Sequence, residues 1–351
     1  MKTSKFFGRR VIKTGIAVFL TATVCLKLGL PVIFAVITAI VTTEPTARDS
    51  LKKGMIRLPA AAIGAGFALL FDLFLGQSAI TFALVAMLTI VVCHHMKLDN
   101  GTLVATLTAV AMIPGSNEGL ISEFIFRLSG TSLGIIISTF VNFAILPPKF
   151  GPLLVTKVNK LYIDSGKYFK QIITELQQPS NKNGIHIRKL NQQLENAFML
   201  SEFQQAEWQY RKKNEFDERS FYFLQKKLTH LQKLISHITN ISHINLEKNE
   251  LSNKEKAIIL EASKKIITIS INLLHDSDNE TETVQQQLYE LFKKEVQNNG
   301  GFQQKKALFY DLWAMLDCLI SLQKETKEEH LFSTSNKNYP TYIFEKHIQY
   351  E

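Results

Sequence analysis

The sequence predicts an all-α protein: a six-helix transmembrane domain over residues 1–148, followed by a cytoplasmic antiparallel helical bundle over residues 149–351. Three observations carry this reading. Six apolar stretches crowd the first 148 residues. Charge is scarce there, with 12 of the 40 Lys/Arg and 6 of the 31 Asp/Glu. Beyond Pro147-Pro148 the apolar residues recur instead at spacings of three and four, the period of amphipathic helices.

The chain opens with Lys2, Lys5, Arg9, Arg10 and Lys13 before an apolar run, the layout of a secretion signal. More apolar runs follow, and no small-residue cleavage site stands near Ala22 or Cys25, so this run reads as an uncleaved first helix with its basic flank in the cytoplasm. The six stretches are Val11–Leu30, Pro31–Thr43, Leu58–Leu75, Ser78–Cys93, Thr102–Ile113 and Ile121–Leu146. A crossing takes about 20 apolar residues at about 1.5 Å each, which suits the first, third and sixth. The second and fifth are short. They read either as re-entrant segments or as helices shielded by neighbours and extended by polar residues such as Thr42 or Ser116.

Orientation follows from the loops. The N-terminus, the Thr43–Arg57 loop (Arg48, Lys52, Lys53, Arg57) and the His94–Gly101 loop (Lys97) hold most of the cations and face the cytoplasm. The alternate loops offer Lys27, Asp72, Glu118 and Glu123 and face outward. Six spans return the second domain to the cytoplasm, which predicts a multi-pass protein of the cell membrane with both termini cytoplasmic. Lys13, Lys27, Arg57 and Asp72 read as residues that snorkel to an interface.

An Arg-Leu-x4-(Ile/Leu)-Gly pattern occurs at Arg57–Gly64 and again at Arg127–Gly134, seventy residues later. It opens the third and sixth helices, which run in opposite directions in this topology, as inverted three-helix halves would. Small residues at four-residue spacing accompany it: Ala60, Gly64 and Ala68, then Gly130, Gly134 and Ser138. On the sixth helix Arg127, Thr131, Gly134, Ser138 and Asn142 share one side that is too polar for lipid. Burying a charge in hydrocarbon costs at least ~2.5–3.5 kcal/mol, so Arg127, more than a turn inside, needs a partner, water or a ligand. Glu123, four residues earlier, offers the structural alternative of a helix-surface ion pair.

In the second domain Leu224, Leu228, Leu231, Ile235 and Ile238 form one apolar face, and helices are expected near 152–178, 185–213, 216–246, 254–275, 281–298 and 302–332. Fewer than three heptads fit the stripe, so it predicts core packing within a bundle in preference to a dimer seam. His230 and His237, seven residues apart, are too distant along a helix to share a metal and read as solvated. The residues from Ser333 to Glu351 lack a clear period and read as a loose tail.

The function classes excluded are several. The net charge of +9 sits in short clusters beside apolar runs, with no basic stripe interleaved with aromatics, so no nucleic-acid partner is expected. Cys25, Cys93 and Cys318 are far apart, which predicts neither disulfides nor a metal cluster. No phosphate loop, dinucleotide fingerprint, zinc-helix motif or nucleophile elbow occurs. The expectation is no enzyme, no cofactor and no metal.

Arg10-Val-Ile-Lys13-Thr14-Gly15, Val41-Thr-Thr-Glu44-Pro45-Thr46-Ala47, Arg57-Leu-Pro-Ala-Ala-Ala-Ile-Gly64-Ala-Gly66-Phe, Ala111-Met-Ile-Pro114-Gly115 and Pro147-Pro148-Lys149 together resemble a family of bacterial membrane proteins in the aromatic acid exporter group. That group is related more distantly to fusaric acid resistance proteins and plant malate-type anion channels, all with six-helix membrane units. The resemblance implies an exporter of small organic anions, aromatic carboxylates among them, acting as a homo-oligomer in contact with membrane lipid. It further implies that an Arg opening the sixth helix contributes to an anion path, a pattern matched by Arg127 and, less closely, by Arg57. Thr131, Ser138 and Asn142 are the expected supporting residues, with Arg57 at the cytoplasmic mouth. A guanidinium offers a carboxylate two parallel donors, and an apolar wall suits a ring. For proton coupling Glu44, beside Pro45, is the candidate, against a solvated loop carboxylate. The competing expectation is a non-transporting scaffold or sensor acting through the larger second domain.

Overall fold

The computed structural model describes residues 9–113, 120–145, 150–175, 183–209, 214–244, 250–274, 279–297 and 303–344. Lys2, Lys5, Ser116, Glu118, Pro147 and Pro148 lie outside them, as does the side chain of Glu123. Among the described residues there are twelve α-helices, one 3-10 turn and no strand. The chain divides into two compact units, Met1–Pro148 with Gln205–Arg211, and Lys149–Gln204 with Lys212–Glu351.

The first unit holds α1 (Arg9–Leu28), α2 (Val32–Thr42), α3 (Ala47–Leu75), α4 (Ala79–His95), α5 (Asp99–Met112) and α6 (Leu120–Ala144). Three segments are long and apolar enough to cross a membrane, Arg10–Leu28, Arg48–Leu75 and Phe124–Ala144. The others are shorter: 11 residues in α2, 17 in α4 and 14 in α5. Helix α3 packs against α4, α5 and α6, while α6 packs against α1, α2 and α3. Small residues make this possible. A Cβ on Gly64 would run into the carbonyl oxygen of Ala105 in α5, and one on Gly134 into that of Ala35 in α2.

Two expectations fail in this unit. The Thr43–Arg57 loop is mostly helix, because Thr46 caps α3 by accepting the Asp49 amide at 3.1 Å and Asp49 places an acid in the first turn. Arg57 is therefore well inside α3, where the sequence reading had it opening the helix. Lys13 and Arg57 do not snorkel, since both are buried and both reach polar partners inside the unit. Lys27 is exposed and Asp72 half-buried.

The remaining helices are α7 (Phe150–Glu175), α8 (Asn183–Trp208), α9 (Glu215–Ser242), α10 (Asn253–Ile271), α11 (Asn279–Gln297) and α12 (Gln303–Ser335), close to the six helices expected. Helix α9 packs against α7 and α12, burying Leu224, Leu228, Leu231, Ile235 and Ile238. Ser252 and Glu255 form a reciprocal capping box at the start of α10. His230 and His237 are not solvated: they face α12, with His237 Nδ1 2.7 Å from Asp311 Oδ1 and His230 Nδ1 3.2 Å from Cys318 Sγ. Nor is the segment after Ser333 loose up to Phe344. There α12 runs to Ser335, and Tyr339 is buried, its hydroxyl donating to Glu329 and its ring among Phe216, Phe332 and Phe344. Aromatic burial orders this stretch where periodicity gives no sign of it.

Candidate functional site

Residues three and four apart share a helix face, so α6 holds Arg127, Thr131, Ser138 and Asn142 on one side. The structure divides this stripe in two. At its far end Asn142 is the hub of a buried polar knot. Its Nδ2 donates to Thr46 O at 2.9 Å and to Ser50 Oγ at 2.7 Å, and its Oδ1 accepts from Lys13 Nζ at 2.9 Å. One turn earlier the hydroxyls of Ser138 and Thr42 share a short hydrogen bond, and Ser138 also donates to Ile135 O at 3.1 Å. These bonds tie α1, α2, α3 and α6 together. The polarity of this half of the stripe is satisfied between helices, which is what a polar group needs away from water. Thr131 is fully buried, and its hydroxyl has no hydrogen-bond partner among the described residues.

The near end of the stripe is different. Arg127 is half-buried; its Nη1 donates to Ala111 O at 2.6 Å, and its guanidinium lies over the Phe34 ring, 5.3 Å from the centroid. Ala111 is in the last turn of α5, where carbonyls lack helical donors and carry the negative end of the helix dipole. Ala111 and Phe34 also line a groove of about 180 Å³ between α2 and α5. Its walls are Phe34, Ile37 and Val41 from α2 and Val104, Leu107, Val110 and Ala111 from α5, with Thr38 and Thr108 midway. The guanidinium thus stands at one end of an apolar slot whose length, from Phe34 to Val41, is about 10 Å at the helical rise.

Arg57 forms a second cluster. Its Nη2 donates to Glu44 Oε1 at 2.6 Å and its Nε to Asn100 O at 3.3 Å, while Lys53 Nζ donates to Glu44 Oε2 at 3.0 Å. Arg57 is 6% exposed, and its Nη1 is buried with no partner among the described residues. Burial alone would raise the Glu44 pKa, but hydrogen bonds from Arg57 and Lys53, reinforced by their charges, outweigh it and hold the carboxyl below its ordinary range. Glu44 is therefore an ionised partner of two cations in this arrangement.

The sequence-predicted residues fall into three sets, Arg57 with Glu44, Ser138 with Asn142 in the buried knot, and Arg127 at the groove, with Thr131 buried on α6 apart from all three. Phe34, Thr38, Thr108, Lys13, Thr46 and Ser50 were not anticipated, because each matters through a partner distant in sequence. Among the described residues, no group of three His, Cys, Asp or Glu is placed to hold a metal ion.

Residues 5–145 match the family described as aromatic acid exporter family member 1. A UPF0421 protein of Halalkalibacterium halodurans is 44% identical over 340 residues, covering 97% of this chain and 95% of that one. A second, from Oceanobacillus iheyensis, is 36% identical over 343 residues, 96% of this chain and 98% of that one. A third, from Staphylococcus aureus, is 38% identical over 316 residues, 87% and 93% of the two chains. With identity of this extent over nearly its whole length, the chain belongs to the UPF0421 family, and its first six helices are similar to the aromatic acid exporter family.

Proposed function

We propose that this protein exports small organic anions, monoaromatic carboxylates foremost, across the cell membrane. In this reading all six helices of the first unit cross or half-cross the bilayer, both termini are cytoplasmic, and the chain works as a homo-oligomer. The observation that carries it is the position of Arg127, a guanidinium at the end of an apolar α2/α5 groove. A ring takes the apolar walls and a carboxylate the planar donors, and an anion repelled by the negative cell interior needs mainly a path outward. Arg57, with a buried donor still unused, is suited to meet the anion at the cytoplasmic mouth, and Thr131 adds a hydroxyl nearby on α6.

The test is accumulation of labelled aromatic acids by cells that lack or overexpress the protein. Arg127→Gln is expected to abolish efflux at unchanged protein level, Arg127→Lys to leave a partial defect because the planar fork is lost, and Glu123→Gln to leave efflux largely intact. Normal efflux in Arg127→Gln removes the substrate role of this residue. No change for any compound in any strain favours a scaffold acting through the second unit.

A further inference from the structure

The seventy-residue echo extends well past the arginine motif. Ala35-Val36-Ile37-Thr38-Ala39-Ile40 in α2 matches Ala105-Thr106-Leu107-Thr108-Ala109-Val110 in α5, and Lys27-Leu28 at the end of α1 matches Lys97-Leu98 just past α4. The packing obeys the same exchange. Swapping α1, α2 and α3 for α4, α5 and α6 turns the α3–α5 contact into α6–α2, α1–α2 into α4–α5 and α1–α6 into α4–α3, all of which exist. The two tightest approaches are also mates, Gly64 on Ala105 and Gly134 on Ala35.

The two halves are inverted. Arg127 touches Phe34, near the start of α2, and Ala111, near the end of α5. Its mate Arg57 bonds Glu44, just past the end of α2, and Asn100, at the start of α5. Helices α2 and α5 are therefore antiparallel, and each arginine stands at an opposite end of the pair. The groove between them is lined by mates: Ile37 with Leu107, Thr38 with Thr108 and Val41 with Ala111, each seventy positions apart. Phe34 and Val104, also seventy positions apart, stand one at each end, and Val110 lines the groove without its mate Ile40. Thr38 and Thr108, at the waist, are 4% and 5% exposed.

From this we infer that the first unit is an inverted duplication and that the α2/α5 groove, lying on the axis relating its halves, is one ligand site shared equally by both, taking a flat apolar ring that bears a single carboxylate. The anion class rests on the proposed function; the axis and the shared site do not. Repeat interfaces are where inverted-repeat carriers hold their cargo, because only there do both halves touch it at once. The walls offer no charge of their own, which selects a ring, and the cations stand at the ends, which selects a terminal carboxylate over a charge at mid-length.

Two measurements on the full chain test this. In whole cells a membrane-impermeant thiol reagent should label Lys27→Cys and not Lys97→Cys, since inversion puts these exposed mates on opposite sides. Labelling of both, or of neither, overturns the duplication. In purified protein carrying Cys25→Ala, Cys93→Ala and Cys318→Ala, modification of Thr38→Cys and of Thr108→Cys should each be slowed about tenfold by benzoate at ten times its Kd, with matching half-maximal concentrations. Benzyl alcohol and acetate should protect far less. Protection at one position only, or at neither, overturns the shared site. So does a groove unreactive without ligand that becomes reactive on dilution to monomers, for then a second copy of the chain fills it. Benzoate that protects both positions but is not exported leaves the site standing and removes the export reading; benzoate that is exported without protecting either does the reverse.

Discussion

The two units of this chain are packed on opposite plans. In the first, most of the fully enclosed apolar residues are small, Ala17, Ala35, Ala39, Ala60, Ala61 and Ala65 among them, with Val85 and Ile113 as larger exceptions, while Phe19, Ile33 and Phe74 stand 69%, 72% and 74% exposed. In the second, the enclosed residues are large, Tyr162, Phe169, Leu231 and Phe309 among them. The difference follows from the surrounding medium. Lipid tails are as apolar as leucine, so burying large side chains between membrane helices brings no hydrophobic gain, and close backbone approach with buried hydrogen bonds holds the helices instead. In the aqueous setting proposed for it, the second unit depends on apolar area removed from water. Polar groups are treated differently as well. The first unit threads Lys13, Thr46, Ser50 and Asn142 into one knot, whereas in the second they are spread along helix seams as pairs such as Arg219–Glu329 and Lys226–Glu325.

The sharpest way to break this contrast is to put bulk where the first unit has none. Gly134→Leu drives a side chain into Ala35 of α2 and is expected to abolish assembled protein, read as loss of the monodisperse peak in size-exclusion chromatography. Gly66→Leu, on the same kind of helix but with nothing within 4 Å of its added Cβ, should leave that peak unchanged. If both behave alike, close approach is not what holds the first unit together.

The second unit should respond to the opposite change. Leu231→Ala removes a fully buried side chain from α9 and should cost about 2–5 kcal/mol, read as a lower thermal midpoint in Trp313 fluorescence. The same truncation at exposed Phe74 should leave that midpoint where it is. Equal effects would mean that the two units do not differ in what stabilises them.

The smallest expected effect refines the picture of the second unit. Lys227 is buried against the Tyr162 and Phe223 rings, donates to Asn159 Oδ1 at 3.1 Å, and has its pKa lowered by burial to about 8. Below that value the folded protein carries the full cost of enclosing an ammonium. As pH rises the folded form releases the proton before the unfolded form does, so stability increases from about pH 7.5 to about pH 9, by about 1 kcal/mol. Above pH 9 Cys318, its pKa pushed up by burial to about 11, works in the opposite sense. Lys227→Met should raise the midpoint at pH 7.5 and flatten its rise with pH; an unchanged slope would assign the pH response to another group.

Much of the fold was legible in the sequence because hydropathy and periodicity are local. The apolar runs and the spacing of Leu224 to Ile238 located the twelve helices to within a few residues, apart from the start of α3. That start was hidden because Arg48, Lys52 and Lys53 read as a polar loop, and only the Thr46 cap shows them to be helical. The order around Tyr339 was hidden for a related reason, since its partners Phe216 and Glu329 come from other segments. At the site, the helical face linking Arg127 to Asn142 was legible. Which members bond within the protein was not, because Lys13, Thr46 and Ser50 reach Asn142 from distant parts of the chain. Phe34 beside Arg127 is equally a product of tertiary packing.

The brevity of α2 and α5 has a consequence outside the protein. At about 1.5 Å per residue, 11 and 14 residues reach roughly 16–21 Å, against about 30 Å of hydrocarbon in a typical bilayer. In the proposed arrangement, where all six helices of the first unit enter the bilayer, lipids bordering these two would compress or tilt their tails, at a cost of fractions of a kcal/mol for each ångström of mismatch. The membrane would then be drawn thin on the side where the groove lies, shortening the hydrocarbon barrier for the anion proposed to enter or leave it.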